Sequence, residues 1–183
     1  MTCVVVYADA HDKAFFDRLC EIIGEYIPSV TVWKSAVYSS CESPAILITD
    51  HESFKRIDMS PGIIIFGGTG KYDLSAIQGD NTVVIADSQN DMQLEYVYGT
   101  KLPAITCGLF ARDTITLSSI ESDSAVINLQ RSITCFDGSV AEPQEIPVRF
   151  SRPVDSYLLM ASAAVLILTG NSDCLAHAAS IMV

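Results

Sequence analysis

The sequence predicts an α/β fold in three layers, with helices on both faces of a mostly parallel sheet and a small antiparallel extension. Short, continuous β-branched runs are typical of strands buried on both faces, which is how parallel strands lie. Segments with helical spacing of apolar residues separate some of these runs, so crossover connections are expected. After residue 113 the pattern changes to an alternation of apolar and polar residues, which predicts antiparallel strands.

The first half of the chain contains the predicted parallel strands. The run "CVVVYA" at 3–8 is the first strand, and apolar residues then recur with helical spacing from residue 15 to Pro28. A crossover helix is predicted at 87–99. The further strands are predicted at 30–33, 45–49, 62–66, 82–86 and 104–110.

The second half contains the extension and a buried helix. Residues 113–150 alternate in polarity, and the Asp-Gly pair at 137–138 indicates a hairpin turn. Residues 154–170 are apolar on nearly every side, which predicts a helix that is fully enclosed. Gly170 suits the end of that helix, and the "GNSD" sequence favours the start of a second one.

Composition limits the classes of function. A chain of 183 residues is expected to form one domain, 1–183, with a core that needs neither disulfides nor metal. Its formal net charge of −11 repels a phosphate backbone, so nucleic acid is not an expected partner. The six cysteines lack zinc-site spacing and are expected to be buried free thiols.

No targeting or membrane segment is expected. The N-terminus has no basic segment before its apolar run and no small-residue cleavage pattern, unlike a signal peptide. The long apolar stretch "YLLMASAAVLILTG" is too short to cross a bilayer. The expected location is therefore the cytoplasm, without a membrane partner.

The order of the elements and the residues at their junctions resemble the central, ATP-binding domain of the Mur ligase family. "ADAHDKAF" at 8–15 stands where that family has its phosphate loop, approximately "TGTNGKTT". The resemblance covers almost the whole chain and implies a P-loop-type topology. Further junctions that resemble the family are "ILITDHESF" at 46–54, "VVIADS" at 83–88, "AITCG" at 104–108 and "VDSYLLMASAAVLILTG" at 154–170.

The phosphate loop of the family is degenerate here. Asp9 and Asp12 replace its glycines, Ala14 replaces a hydroxyl that would hold Mg²⁺, and Lys13 falls on the family's lysine. Glycines let backbone N–H groups surround a phosphate at a helix N-terminus, whereas a carboxylate about 4 Å from a phosphate oxygen costs on the order of 4 kcal/mol. Asp9 or Asp12 is also a good helix cap, which would occupy the same N–H groups.

Candidate binding residues are therefore Asp9, His11, Asp12 and Lys13, which form the degenerate phosphate loop. The alternative for Lys13 is an ion pair with Asp9, Asp12 or Asp17. No catalytic residue and no metal site are predicted.

Two other segments leave alternatives open. Gly67, Gly68 and Gly70 precede Lys71 but lack the spacing of a phosphate loop, so they indicate a glycine turn, with anion binding as the alternative. His51, beside Asp50, is expected to be an exposed loop residue.

The resemblance and the departures from it predict a non-catalytic, Mur ligase-like domain that needs no cofactor. It would act by binding a protein or small molecule, alone or as a homo-oligomer. A second hypothesis is a subunit of an ATP- and Mg²⁺-dependent ligase or nucleotide hydrolase that another chain completes; Lys13 and the Asp50–His51 pair favour it. A third is the binding of a small anion or metabolite at the carboxyl ends of the strands.

Overall fold

The computed structural model of the chain describes residues 1–8, 12–39, 41–68 and 72–172. The helices are α1 (Lys13–Tyr26), α2 (Asp91–Thr100) and α3 (Ser156–Leu168), and one 3₁₀ turn covers Leu74–Ala76. The strands are β1 (Thr2–Tyr7), β2 (Ser29–Trp33), β3 (Ala36–Ser39), β4 (Ile46–Asp50), β5 (Ile57–Asp58), β6 (Gly62–Phe66), β7 (Ile77–Gln78), β8 (Thr82–Asp87), β9 (Ala104–Cys107), β10 (Ile115–Ile120), β11 (Ser124–Leu129), β12 (Ile133–Thr134), β13 (Val140–Ala141) and β14 (Gln144–Arg149).

Ten of these strands form one mixed sheet in the order β14-β11-β10-β9-β8-β6-β1-β4-β2-β3. The strands from β10 to β2 in that order are parallel, whereas β3 and β11 run antiparallel to their neighbours. β14 pairs with β11 in antiparallel register. The predicted α/β fold, with a mostly parallel sheet and a small antiparallel extension, is confirmed.

Helices cover both faces of the sheet. α1 and α3 contact each other on one face, and α2 packs on β8 from the other face. The middle strands are buried on both sides, since every residue of β6 is buried. This double burial explains why β1 and β6 have continuous apolar sequences rather than alternating ones.

α3 is the enclosed helix that its composition predicts. All residues from Leu158 to Leu168 are buried, because the helix contacts α1 and several strands together. The Asp155 carboxylate accepts a hydrogen bond from the Leu158 N–H at the start, and Gly170, with a φ of 76°, follows its end. With 13 residues, α3 is short of a bilayer span, and no other helix in the described ranges has the length and hydropathy for one.

Some elements differ from the predictions. β3 is an antiparallel edge strand that the sequence pattern does not predict. β9 ends at Cys107 rather than at residue 110, because the Asp113 carboxylate accepts from the Phe110 N–H and holds residues 108–113 as a loop. Cys3, Cys107 and Cys135 are buried free thiols, whereas Cys20 and Cys41 are partly exposed. The second helix predicted after "GNSD" falls mostly outside the described residues.

Candidate functional site

The carboxyl ends of β1, β4 and β6 meet at one edge of the sheet, next to the N-terminus of α1. β1 lies between β4 and β6, with Val6 opposite Asp50 and Tyr7 opposite Phe66. From β1 the chain passes through α1 to β2 on one side, and after β4 it crosses to β6 on the other. A reversal of this kind opens a crevice, and open α/β sheets bind ligands in such crevices.

Asp12 stands at the N-cap position of α1, but its carboxylate forms no capping hydrogen bond. It lies instead against the backbone of Gly68, where a Cβ would be 2.0 Å from Asp12 Oδ2. The capping role suggested for Asp12 is therefore wrong, and its charge remains at the entrance to the crevice. Asp9 and His11, the other predicted members of the loop, lie outside the described residues.

Lys13 is held by groups at the surface of α1. Its ammonium lies 2.5 Å from Asp17 Oδ2, and both side chains are 54% exposed. The same ammonium is 5.7 Å from the centroid of the Trp33 ring. Of the alternatives for Lys13, the structure contains the ion pair with Asp17, one helical turn further along α1.

Two aromatic side chains fill the space behind the first turn of α1. Phe15 stacks on Tyr157 of α3, with ring centroids 5.8 Å apart and ring planes within 16°. The Tyr157 hydroxyl donates to the Phe66 carbonyl at 2.6 Å and lies 3.2 Å from the Ile85 carbonyl. Side chains of α1 and α3 therefore cover the carboxyl ends of β6 and β8.

The glycine turn after β6 is fixed by hydrogen bonds. The Gly67 N–H donates to the Tyr7 carbonyl at 2.7 Å, and the Gly68 carbonyl accepts from the Tyr72 hydroxyl at 2.9 Å. The side-chain amides of Asn90 and Gln93 also donate to that carbonyl, at 3.1 and 3.3 Å. Because the Gly67 N–H already has an acceptor, the described part of this segment is a structural turn; residues 69–71 lie outside the described ranges.

Asp50 and His51 have different roles. Asp50 is buried, and its carboxylate accepts from the Ser53 hydroxyl and from the Lys34 N–H at 3.4 Å, which ties it to the β2–β3 turn. His51 is half-buried and stacks on Tyr7 at a centroid distance of 4.5 Å, so it is not the exposed loop residue that was expected. Its Nδ1 is buried without a hydrogen-bond partner in the described part of the molecule.

Three carboxylates near the ends of β8 and β9 were not singled out from the sequence. Burial raises the pKa of Asp87, and the neighbouring carboxylates of Asp155 and Asp113 raise it further. Asp113 is buried and accepts from the Ser88 hydroxyl at 2.8 Å.

Among the residues the structure describes, no group of three or more His, Cys, Asp or Glu side chains could hold a metal ion.

Similarity to known proteins is found at the level of structure. No family model matches the chain, and no curated protein matches it. The structure is similar to UDP-N-acetylmuramoylalanyl-D-glutamyl-2,6-diaminopimelate–D-alanyl-D-alanyl ligase from Acinetobacter baumannii, with a TM-score of 0.59 at 11% identity, over 97% of this chain and 46% of that one. A crystal structure of MurF from the same organism gives a TM-score of 0.57 at 11% identity, over 96% and 45%.

A second crystal structure of that MurF gives a TM-score of 0.53 at 12% identity, over 96% of this chain and 45% of that one. At such identity the similarity shows the fold, which is Mur ligase-like. The chain spans slightly less than half of the length of these ligases.

Proposed function

We propose that this chain is a degenerate counterpart of the central domain of Mur ligases, which has lost ATP binding and acts by binding a partner protein or a small molecule. Three features support the proposal: the Mur ligase-like fold, the substitutions in the β1–α1 loop and the geometry of the residues around it. The position of the Asp12 carboxylate against Gly68, at the start of α1, carries the argument, and the exposed pairing of Lys13 with Asp17 adds a smaller contribution.

Electrostatics oppose a triphosphate at the N-terminus of α1. A phosphate there would have to draw Lys13 away from Asp17 and would face the carboxylate of Asp12 beside Gly68. A carboxylate and a phosphate oxygen about 4 Å apart repel by on the order of 4 kcal/mol at an effective dielectric constant near 20. Ala14 adds no hydroxyl for a magnesium ion that could offset this repulsion.

Calorimetric titration with Mg-ATP tests the loss of nucleotide binding. The wild type is expected to release no binding heat at micromolar to millimolar nucleotide, and Lys13→Ala is expected to behave identically. Micromolar binding that disappears in Lys13→Ala but persists in Lys101→Ala, an exposed lysine at the end of α2, would overturn the proposal. Asp12→Gly combined with Ala14→Thr should increase affinity for Mg-ATP if the carboxylate and the missing hydroxyl are the cause of the loss.

A second candidate function is a ligase or nucleotide-hydrolase subunit that another chain completes, with ATP and Mg²⁺ as its cofactors. The observation that favours it is His51, whose buried Nδ1 is unpartnered near the carboxyl ends of β1 and β4. Release of phosphate from Mg-ATP, measured together with the products of neighbouring genes, tests this candidate. Activity that depends on both Lys13 and His51 would favour it over the binding role, and inactivity with every such product would count against it.

A further inference from the structure

A second crevice lies on the α2 side of the sheet, well separated in sequence from the β1–α1 loop. It is a cavity of about 360 Å³ between α2 and the start of the antiparallel extension. Leu94 and Tyr98 of α2 form an apolar wall, and Thr106 and Thr114 contribute hydroxyl groups. Two arginines also line the cavity: Arg112, which precedes β10, and Arg131, which follows β11.

The two arginines are unpaired although acidic residues outnumber basic ones by 22 to 11. Within the described ranges, neither guanidinium donates a hydrogen bond or lies within 4.0 Å of a carboxylate oxygen. Of the other arginines, Arg18, Arg56 and Arg152 each form an ion pair, whereas the exposed Arg149 on β14 forms none within the described ranges and lies outside this cavity. Two unpaired guanidinium groups in one cavity of an acidic protein indicate a place for an anion.

Arg112 is positioned by its own loop. The guanidinium carbon lies 5.1 Å from the centroid of the Phe110 ring. A guanidinium over an aromatic ring uses its face for that contact, and the N–H groups at its edge stay available for two parallel hydrogen bonds to an oxyanion. The Asp113 carboxylate accepts from the Phe110 N–H at 2.9 Å and thereby fixes the loop that carries Arg112.

The carboxylate of Asp113, which lines the cavity, already has hydrogen-bond donors. Asp113 is buried and accepts from the Ser88 hydroxyl as well as from the Phe110 N–H. Among the described lining residues, the two guanidinium groups outnumber this carboxylate, so their formal charges sum to a positive value. Thr106 Oγ1 accepts from the Thr114 N–H at 3.2 Å, so its hydroxyl proton can be donated to a ligand.

We infer that this cavity binds the oxyanion, phosphate or carboxylate, of a small molecule whose apolar part lies on Leu94 and Tyr98. Arg112 and Arg131 hold the charged group, and the threonine hydroxyls complete its hydrogen bonds. A volume of about 360 Å³ is near the lower end for small-molecule sites, so the ligand is compact. The inference rests on the proposed function in one respect, since this cavity would be the site of the proposed small-molecule binding. It does not depend on the degenerate phosphate loop, because the cavity is lined by other residues.

Titrations with inorganic phosphate, phenyl phosphate and benzoate, followed by calorimetry and by backbone amide shifts, test the site. We expect phenyl phosphate or benzoate to bind more tightly than inorganic phosphate, because only these add contact with Tyr98. The stronger of the two identifies the oxyanion as phosphate or carboxylate. Arg131→Gln and Arg112→Gln should each weaken binding at least tenfold, whereas Arg56→Gln, which removes an exposed arginine elsewhere, should leave it unchanged.

Failure to bind any of the three anions, or binding that both arginine variants leave unchanged, would overturn the inference. Tyr98→Ala is a second check, because that side chain is 85% exposed and its removal should not disturb the fold. It should abolish the preference for the aromatic anions and spare inorganic phosphate. Nucleotide binding that requires Lys13 would overturn the proposed function alone, since it would not involve either arginine of this cavity.

Discussion

The carboxylate of Asp12 rests on the α-carbon of Gly68 and joins the start of α1 to the turn after β6. A Cβ on residue 68 would lie 2.0 Å from Asp12 Oδ2, and the backbone φ there is +65°. The conformation favours glycine, and an added Cβ would in addition displace the end of the Asp12 side chain. Gly68 thus accommodates a carboxylate of the protein itself, at the edge of the sheet where open α/β folds have their crevice.

The contact predicts a specific cost for Gly68→Ala. The variant should lower the free energy of unfolding by about 2 kcal/mol, because left-handed backbone strain adds to the cost of displacing the Asp12 carboxylate. Gly138→Ala is the matched control, since its φ is +86° and, apart from its two chain neighbours, no atom of the described residues lies within 4 Å of the added Cβ. This variant should lose only the free energy of left-handed backbone strain, about 1 kcal/mol. Denaturant unfolding of both variants measures the difference.

Removal of the Asp12 side chain should relieve the collision. In a double-mutant cycle, Asp12→Ala should recover at least about 1 kcal/mol of the loss in Gly68→Ala, whereas it should recover nothing in Gly138→Ala. Equal losses in the two glycine variants would show that the Asp12 carboxylate does not occupy this position.

Tyr157→Phe tests the link between α3 and the carboxyl ends of the strands. The variant keeps the ring that stacks on Phe15 but leaves the Phe66 carbonyl without the hydroxyl donor. We expect a loss of about 1–2 kcal/mol in unfolding free energy, which is typical of a removed buried hydrogen bond. Tyr98→Phe, at an exposed position on α2, is the control and should change stability by less than about 0.5 kcal/mol. A similar loss in both variants would contradict a specific role for the Tyr157 hydroxyl.

The sheet could be predicted from the sequence because its signals are local. Parallel strands such as β1 and β6 are continuous β-branched runs, and their burial on both faces needs no knowledge of neighbours. β3 could not be predicted, because this four-residue edge strand has three exposed residues and shows neither a continuous nor an alternating apolar pattern. The end of β9 depends on the Asp113 carboxylate, a tertiary contact that strand propensity does not contain.

The candidate sites were predictable only in part. Lys13 and Asp12 could be named because they fall in a recognisable loop, and Asp17 was among the alternatives because it lies one helical turn from Lys13. Two contacts join segments that are distant in the sequence: that of Asp12 with Gly68 and the stacking of Phe15 on Tyr157. No local sequence pattern predicts such contacts. Arg112 and Arg131 likewise belong to separate loops, so their common cavity emerges only from the fold.

Asp87→Asn is expected to stabilise the protein at neutral pH. Burial first, and then the charges of Asp155 and Asp113, raise the pKa of Asp87 above its usual 3.8, so its ionised form is disfavoured in the folded state. Asparagine removes the charge and can still accept from the Gln89 N–H, as Asp87 Oδ1 does at 2.9 Å. The gain should vanish below about pH 3.8, where the unfolded aspartate is also protonated. Thermal unfolding of the wild type and the variant at pH 7 and pH 3.5 measures this gain in stability. An Asp87→Asn variant that is less stable than the wild type at pH 7 would contradict the prediction.

Thiols withdrawn from water predict that the free energy of unfolding declines in alkaline solution. Burial raises the pKa of Cys3 from its usual 9.0 to about 11, and partial burial between α1 and β2 raises that of Cys20 to about 12. Between pH 9 and these values the unfolded chain releases protons that the folded chain retains, so the free energy of unfolding falls as pH rises. The loss should be on the order of 1 kcal/mol per thiol at pH 10.

The slope of stability against pH separates this effect from packing. Cys3→Ala and Cys20→Ala each lose contacts at every pH, but each should also flatten the decline between pH 9 and pH 11, because one titrating group has been removed. Urea unfolding at intervals of half a pH unit across that range resolves the slope. Burial also raises the pKa of Cys107, Tyr7 and Tyr157, so a smaller decline that begins near pH 9 and steepens above pH 10 should persist in the double variant. A slope that the cysteine substitutions leave unaltered would mean that these thiols already reach solvent in the folded protein.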